Sequence, residues 1–320
     1  VAGLTDLDGV VWVDPVALED LVWVSGDVRV PGRPLRLSDA TTTIALELDA
    51  YLGAARGAAD RLRAAWAARV VDRFLARRPG LESFALAASS AGRDGHLGLF
   101  LVRRKEQRIV HALGLDRSIP SPEPGELPLL AAWSSSEATH VGAFVSTRIR
   151  HEISIRPDGS ARVQTQLTFD NGAAAEPPSI LLGGGGLVPI GTFAADVGLL
   201  IPAEARQVEA ETSRPGPIEV GTELGYTGVR GSVSIRAGTS ATLTASYLVR
   251  DALVADAEAS RLVVRVLPQP SLEGISYAIR IELPEGAALL SASQDLRLRG
   301  DALTFSGTRT SPFDLALRLA

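Results

Sequence analysis

The chain has 320 residues, 46% of them hydrophobic and 22% charged, with a formal net charge of −5. That length suffices for two or three domains with real cores, and the negative balance excludes a global field drawing the protein to nucleic acid or an anionic bilayer. Cysteine is absent, which removes disulfides, thiolate metal sites and thiol nucleophiles together.

Up to about residue 132 the pattern alternates strand and helix. Val10 to Val13 read as a buried strand, and Asp14-Pro15 as an N-cap with proline at the first helical position. A helix to about Val24 and an extended run at Val28 to Val30 follow. Ser38 can cap a helix through about Leu52, and an alanine- and arginine-rich helix covers roughly Ala55 to Arg77 before Pro79-Gly80 breaks it. Leu81 to Ser89 read as helix, His96 to Val102 as strand, and Arg104 to Leu113 as a helix stopped by Gly114. Ser118 to Leu127 carries three prolines and reads as a linker.

From Thr147 the period changes to two. Thr147 to Arg156 alternates, Asp158-Gly159 supplies a hairpin turn, and Ala161 to Phe169 returns. Extended runs follow at 197–201, 205–211, 218–224, 229–236 and 241–249, a sandwich-like count of short strands. A second strand-rich block covers 262–267, 277–283, 289–292, 296–298, 303–305 and 315–319. These patterns predict an α+β protein: a partial α/β layer domain at 1–132, then two antiparallel β-sandwich-like modules at 140–252 and 258–320. A parallel α/β layer buries both faces, and only Val1 to Leu7 precede the first strand. The reading therefore expects the back half of a larger domain, with the apolar side chains of that layer unusually exposed.

Basic charge is almost all arginine, with Lys105 the sole lysine, and methionine is absent even at position 1. The first fits the codon bias of a high-GC, actinobacterial-type source; the second fits an alternative start or a record cut from a longer reading frame. The most apolar long stretch, Leu181 to Pro202, contains Gly183 to Gly186, two prolines and Asp196, and reads as loop plus strand rather than a membrane helix.

Several segments form a series: Leu7 to Pro15, Ser25 to Val30, His96 to Leu113 with Glu106-Gln107, and the hairpin Arg148 to Asn171 ending in Thr168-Phe169-Asp170-Asn171. Leu200-Ile201-Pro202, Gly238 to Tyr247 and Pro268-Gln269-Pro270 continue it. Taken in this order, these segments resemble the bacterial envelope family catalogued as domain of unknown function 4012. The family's Gly-Gly-Asn-Lys before the hairpin reads Val141-Gly142-Ala143-Phe144 here. The resemblance implies an extracytoplasmic protein anchored by an amino-terminal membrane helix that lies outside this chain. It also implies a first domain distantly similar to the LytR-CpsA-Psr phosphotransferases, whose arginines and acidic residues for pyrophosphate and metal lie largely upstream. No catalytic position carries over.

Arg69, Arg73 and Arg77 fall at i, i+4 and i+8 and share one helix face. They are the candidate anion-binding residues, for phosphate or an acidic wall polymer; the alternative is a solvated face partly neutralised by Asp60 and Asp72. Asp6, Asp8 and Asp14 are hard-metal donors by type, but Asp14 is better explained as a cap and oxygen sites need several converging groups. The four histidines, His96, His111, His140 and His151, show no zinc spacing. Ser134 to Ser136 with His140 lack a nucleophile elbow and read as polar linker. The glycine run Gly183 to Gly186 lacks the strand–turn–helix context of a dinucleotide fingerprint.

Trp12 and Trp23 read as core, and Tyr226 with Tyr247 as a sugar-stacking pair. Glu204, Glu209, Glu211, Glu219 and Glu223 form a carboxylate pool expected to face water. The sequence thus predicts a non-catalytic binding or spacing role at the cell surface, without cofactor or metal, with wall glycopolymer or other envelope proteins as partners. Its alternative is a phosphotransferase acting on lipid-linked wall glycopolymers.

Overall fold

The computed structural model describes residues 7–14, 16–17, 68, 72, 76, 89, 91–121, 123–136, 141–173, 189–214, 216–255, 259–271 and 274–320. The chain divides into two compact units, Val1–Ile119 and Pro120–Ala320.

In the first unit, β1 (Gly9–Val13) pairs with β2 (Leu97–Leu101), and α1 (Arg104–Ala112) follows. Gly9 faces Leu101 and Val13 faces Leu97, so the strands are antiparallel. α1 ends where Gly114 takes φ +67°, the left-handed conformation that glycine adopts without a Cβ penalty. The Gln107 side chain accepts a hydrogen bond from the Leu101 backbone N–H at 2.7 Å, tying helix to strand.

The second unit is a two-layer β body. Its first block of strands is β3 (Glu126–Ser135), β4 (Val145–Ile155), β5 (Ala161–Asn171), β6 (Phe193–Ile201), β7 (Arg206–Thr212), β8 (Ile218–Glu223), β9 (Tyr226–Ile235) and β10 (Ser240–Val249). The second block is β11 (Val254–Ala255), β12 (Ser260–Leu267), β13 (Ile275–Glu282), β14 (Leu289–Ala292), β15 (Arg297–Arg299), β16 (Ala302–Arg309) and β17 (Phe313–Leu319). One sheet has the order β15-β16-β13-β4-β5-β10-β7, and the other β14-β17-β12-β3-β6-β9-β8 with β11 added against β12.

Clean alternation explains why these segments are strands. In β4 and β5 every second residue is buried, from Thr147 to Ile155 and from Ala161 to Asn171. Between them Gly159 takes φ +80°, and Asp158 accepts from the Ser160 backbone and hydroxyl at 2.9 and 2.7 Å. The inward rows of both sheets merge into one core, with Phe169 between Trp133 and Phe193 at ring separations of 5.3 and 5.9 Å.

The fold class expected from the sequence is corrected on two counts. The described residues are predominantly strand, and the anticipated parallel α/β layer is an antiparallel pair. Strand–helix alternation along a chain specifies element types; pairing direction depends on which strands meet in space. Nor are the two strand blocks successive modules. β12 pairs parallel to β3, and β13 pairs parallel to β4, so both blocks share both sheets. The parallel pairing expected at the front of the chain lies instead at this seam.

Gln269 continues the seam past the end of β12. Its side-chain amide accepts from the Trp133 N–H at 2.5 Å and donates to the Trp133 carbonyl at 2.9 Å. Pro268 and Pro270 flank it and have no N–H to offer, so the side chain takes the place of a backbone partner. β3, absent from the sequence reading, contains Pro128. That proline pairs with Arg265 of β12, at a level where β6 does not yet pair with β3. The missing N–H therefore falls where the strand has one neighbour.

Candidate functional site

The outward residues of the seven-stranded sheet form a polar surface. Direct cross-strand pairing sets its rows. One row runs Ser306, Ala278, Arg150, Gln166, Thr244 and Glu211; the next runs Thr304, Arg280, Glu152, Gln164, Ser246 and Glu209. Thr168 and Thr242 hydroxyls are 2.9 Å apart, and Gln164 Nε2 donates to Ser246 Oγ at 3.3 Å. Several charges on this face are matched locally: Arg148 with Asp170 at 2.8 Å, Arg150 with Glu152 at 2.5 Å and Arg280 with Glu282 at 3.1 Å. Glu282 also accepts from Ser154 at 2.6 Å, and this bond, with that from Arg280, holds its carboxyl below the usual range. The surface presents amides, hydroxyls and guanidiniums, the groups that hydrogen-bond hydrated polymers.

On the eight-stranded sheet an ionic tie crosses three strands. Arg265 on β12 reaches Glu126 on β3 at 2.9 Å and Asp314 on β17 at 3.3 Å. Burial raises the Glu126 carboxyl, the Arg265 guanidinium opposes the rise, and Glu123 and Asp314 add to it, leaving it above its ordinary value. The same cluster braces the seam. Tyr226 is buried and donates to the Pro120 carbonyl, and Tyr247 is buried in the core, so the two do not form an exposed stacking platform.

Within the core, His151 Nδ1 lies 2.9 Å from Thr165 Oγ1, while His151 Nε2 and the Tyr247 hydroxyl have no hydrogen-bond partner. Burial holds the imidazole down to about 4 and pushes the Tyr247 hydroxyl up. Thr165 counters the rise at Tyr247, but the geometry falls short of a hydrogen bond. His151 is neutral at physiological pH.

In the first unit Asp14 acts as the cap read from the sequence: Oδ1 accepts from the backbone N–H groups of Val16 and Ala17 at 2.9 and 3.0 Å. Its Oδ2 holds His96 Nδ1 at 2.6 Å, with the imidazole 6% exposed. Trp12, expected in the core, is 44% exposed, with the Arg117 guanidinium 4.4 Å above its ring. Val10 and Val11, in the stretch whose apolar side chains were expected to be unusually exposed, are 52% and 62% exposed. His111 Nδ1 lies 2.7 Å from Asp116 Oδ2 and 3.5 Å from Ser118 Oγ. A Ser-His-Asp triad uses both ring nitrogens, one for each partner; here both meet the same nitrogen, so the group locks a turn.

Of the sequence-stated candidates, Arg69, Arg73 and Arg77 lie outside the described residues, as do Asp6, Trp23, His140 and Gly183 to Gly186. Asp72 is helical and exposed, as the surrounding stretch was read. Asp8 is exposed and 3.7 Å from Arg103. The structure does not bring Asp8 and Asp14 together as ligands, and no group of three His, Asp or Glu that could hold a metal occurs among the described residues. Among the carboxylate pool, Glu223 pairs with Arg230 at 2.6 Å, and Glu209, Glu211 and Glu219 face solvent. The rows of the polar sheet were legible as alternation, but which strands lie side by side was not.

No protein-family model matches the chain, and no curated protein matches it. Distant likenesses occur among solved structures. A candidate nutrient-binding protein from Legionella pneumophila has a TM-score of 0.37 at 10% identity, over 61% of this chain and 70% of that one. Leukotriene A4 hydrolase from Saccharomyces cerevisiae has 0.31 at 8%, over 58% of this chain and 31% of that one. The M1 zinc metallopeptidase from Deinococcus radiodurans has 0.29 at 14%, over 55% of this chain and 42% of that one. The chain thus spans less than half the length of these two enzymes, and likeness at these scores carries no inference about activity. No helix among the described residues is long and apolar enough to cross a membrane.

Proposed function

We propose that the protein is an extracytoplasmic component of a bacterial cell envelope with a non-catalytic binding or spacing role, and that the polar face of the seven-stranded sheet meets a wall glycopolymer. The observation that carries this reading is the continuous field of outward amides, hydroxyls, guanidiniums and carboxylates on six neighbouring strands, centred on Arg150, Gln166 and Thr244. A broad sheet face of hydrogen-bonding groups suits a repeating, hydrated ligand better than a deep pocket does. The described imidazole–carboxylate pairs are occupied in a cap and a turn, which supports binding over chemistry.

Co-sedimentation of the chain with purified wall polymer tests the reading. Binding that falls several-fold in Arg150→Ala/Gln166→Ala supports it, with the circular dichroism spectrum unchanged because both residues face outward. Binding insensitive to those changes removes the assignment to this face. Magnesium-dependent transfer from a lipid pyrophosphate-linked glycan by the same chain would instead establish the phosphotransferase alternative.

A further inference from the structure

Among the described residues the seven-stranded sheet ends in two edge strands, β7 and β15. An open edge offers unpaired backbone donors and acceptors to another strand, and proteins restrain it with charge or a bulge. Here the two edges carry opposite charge in the same pattern. β7 contains Glu209-Ala210-Glu211, and β15 is Arg297-Leu298-Arg299.

Facing follows from the registers. Ala210 pairs with buried Ala245, while Glu209 and Glu211 pair with outward Ser246 and Thr244. Leu298 pairs with buried Leu303, while Arg297 and Arg299 pair with Thr304 and Ala302. Both edges therefore hold two like charges on the outer face and one small or apolar residue on the core side. Leu298 is 56% exposed. Glu209, Glu211, Arg297 and Arg299 make no ion pair among the described residues, whereas the neighbouring Asp295 and Asp301 are matched by Arg309 and Arg280.

We infer that the chain associates with further copies of itself head to tail, β15 of one copy adding to β7 of the next. Following the pairings across the sheet, β7 and β15 run in opposite directions, so copies in the same orientation meet antiparallel. That register sets Glu209 against Arg299, Ala210 against Leu298 and Glu211 against Arg297. It also brings Arg206 to the level of Asp301. In the other layer β8 and β14 are likewise the edges and likewise run opposite. The same operation brings Val220, 52% exposed, toward Leu290, 54% exposed.

Self-pairing of like edges is disfavoured, because β7 on β7 opposes glutamates and β15 on β15 opposes arginines. The charge pattern thus selects a heterologous contact, which propagates rather than closing at two copies. The molecule already contains such a join, since its own two strand blocks meet edge to edge in both layers at the β3–β12 and β4–β13 seam. This inference stands independently of what the polar face binds.

Sedimentation velocity of the 320-residue chain over a concentration series tests it. The expected result is a weight-average mass that grows with concentration beyond a dimer, with association weakened about tenfold or more in high salt. Arg297→Glu/Arg299→Glu and Glu209→Arg/Glu211→Arg should each be monomeric alone. Mixing the two variants should restore association, because each then offers the edge that the other complements, and this recovery also shows that both are folded. A chain that stays monomeric at low salt, that stops at a dimer, or whose association ignores both pairs of substitutions overturns the inference, as does a mixture that fails to reassociate.

Discussion

Among the described residues, the two compact units show different kinds of contact. The β body buries an unbroken double row of aliphatic and aromatic side chains, among them Ile149, Ile153, Leu167, Phe169 and Leu243, each 2% exposed or less. In the first unit Val10, Val11, Phe100, Val102, Ile109 and Leu113 are all more than half exposed, and the described structure is tied by polar contacts: Asp14 to His96, Gln107 to Leu101, Asp116 to His111. Apolar burial is non-directional and scales with area, so it rewards any pattern that alternates. Polar ties are worth about 1 kcal/mol each and depend on single atoms.

The comparison is sharpest where one ring fills the space between the sheets. Phe169→Ala should destabilise the β body by about 3–5 kcal/mol, read as a lower denaturant midpoint. An effect below about 1 kcal/mol would mean that the inward rows do not act as one core.

Next in size is the acid response of His151. An unfolded imidazole titrates near 6.5 and the buried one at about 4, so between these values the unfolded chain binds more protons. Stability is full above about pH 6.5 and falls as the pH drops toward 4, by up to about 3 kcal/mol for this shift. His151→Leu should flatten that slope in unfolding curves measured at several pH values. A slope that survives the substitution places the acid sensitivity elsewhere.

Gln269→Ala leaves both the Trp133 N–H and carbonyl without their side-chain partner and should cost about 1–3 kcal/mol. Gln269→Glu, which can still accept but not donate, should lose part of it. Hydrogen exchange at the Trp133 amide separates the two. The smallest effect is in the first unit: Asp14→Ala removes a cap worth about 1 kcal/mol and should raise exchange at Val16 and Ala17. The β body's unfolding midpoint should not move. If it moves with Asp14, the contrast between the two units fails.

Strand positions were legible wherever period-two alternation ran for several residues, as in the hairpin around Asp158-Gly159 and in Tyr277 to Glu282. β3 escaped because Leu127-Pro128-Leu129-Leu130-Ala131 is a continuous apolar run behind a proline-rich stretch. A strand covered on both faces loses its alternation, and a proline argues against a central position. Pairing partners were not legible at all. Nothing local to Val263 indicates that it lies beside Glu126, because the seam is settled by how two sheets close. The capping role of Asp14 was readable since a cap is a contact between near neighbours; its second bond, to His96, spans the unit and was not.

The parallel seam also bears on how the chain acquires its structure. β4 and β5 are joined by a tight turn and can pair as soon as both exist, whereas β3 and β4 must wait for β12 and β13, which lie far downstream. Long-range parallel pairing is slow because loop closure precedes any gain from the contacts. During synthesis from the amino terminus, β3 and β4 each stand as an open edge until the second block emerges. This topology predicts a late, rate-setting closure at the seam, with mispairing most favoured before the second block emerges.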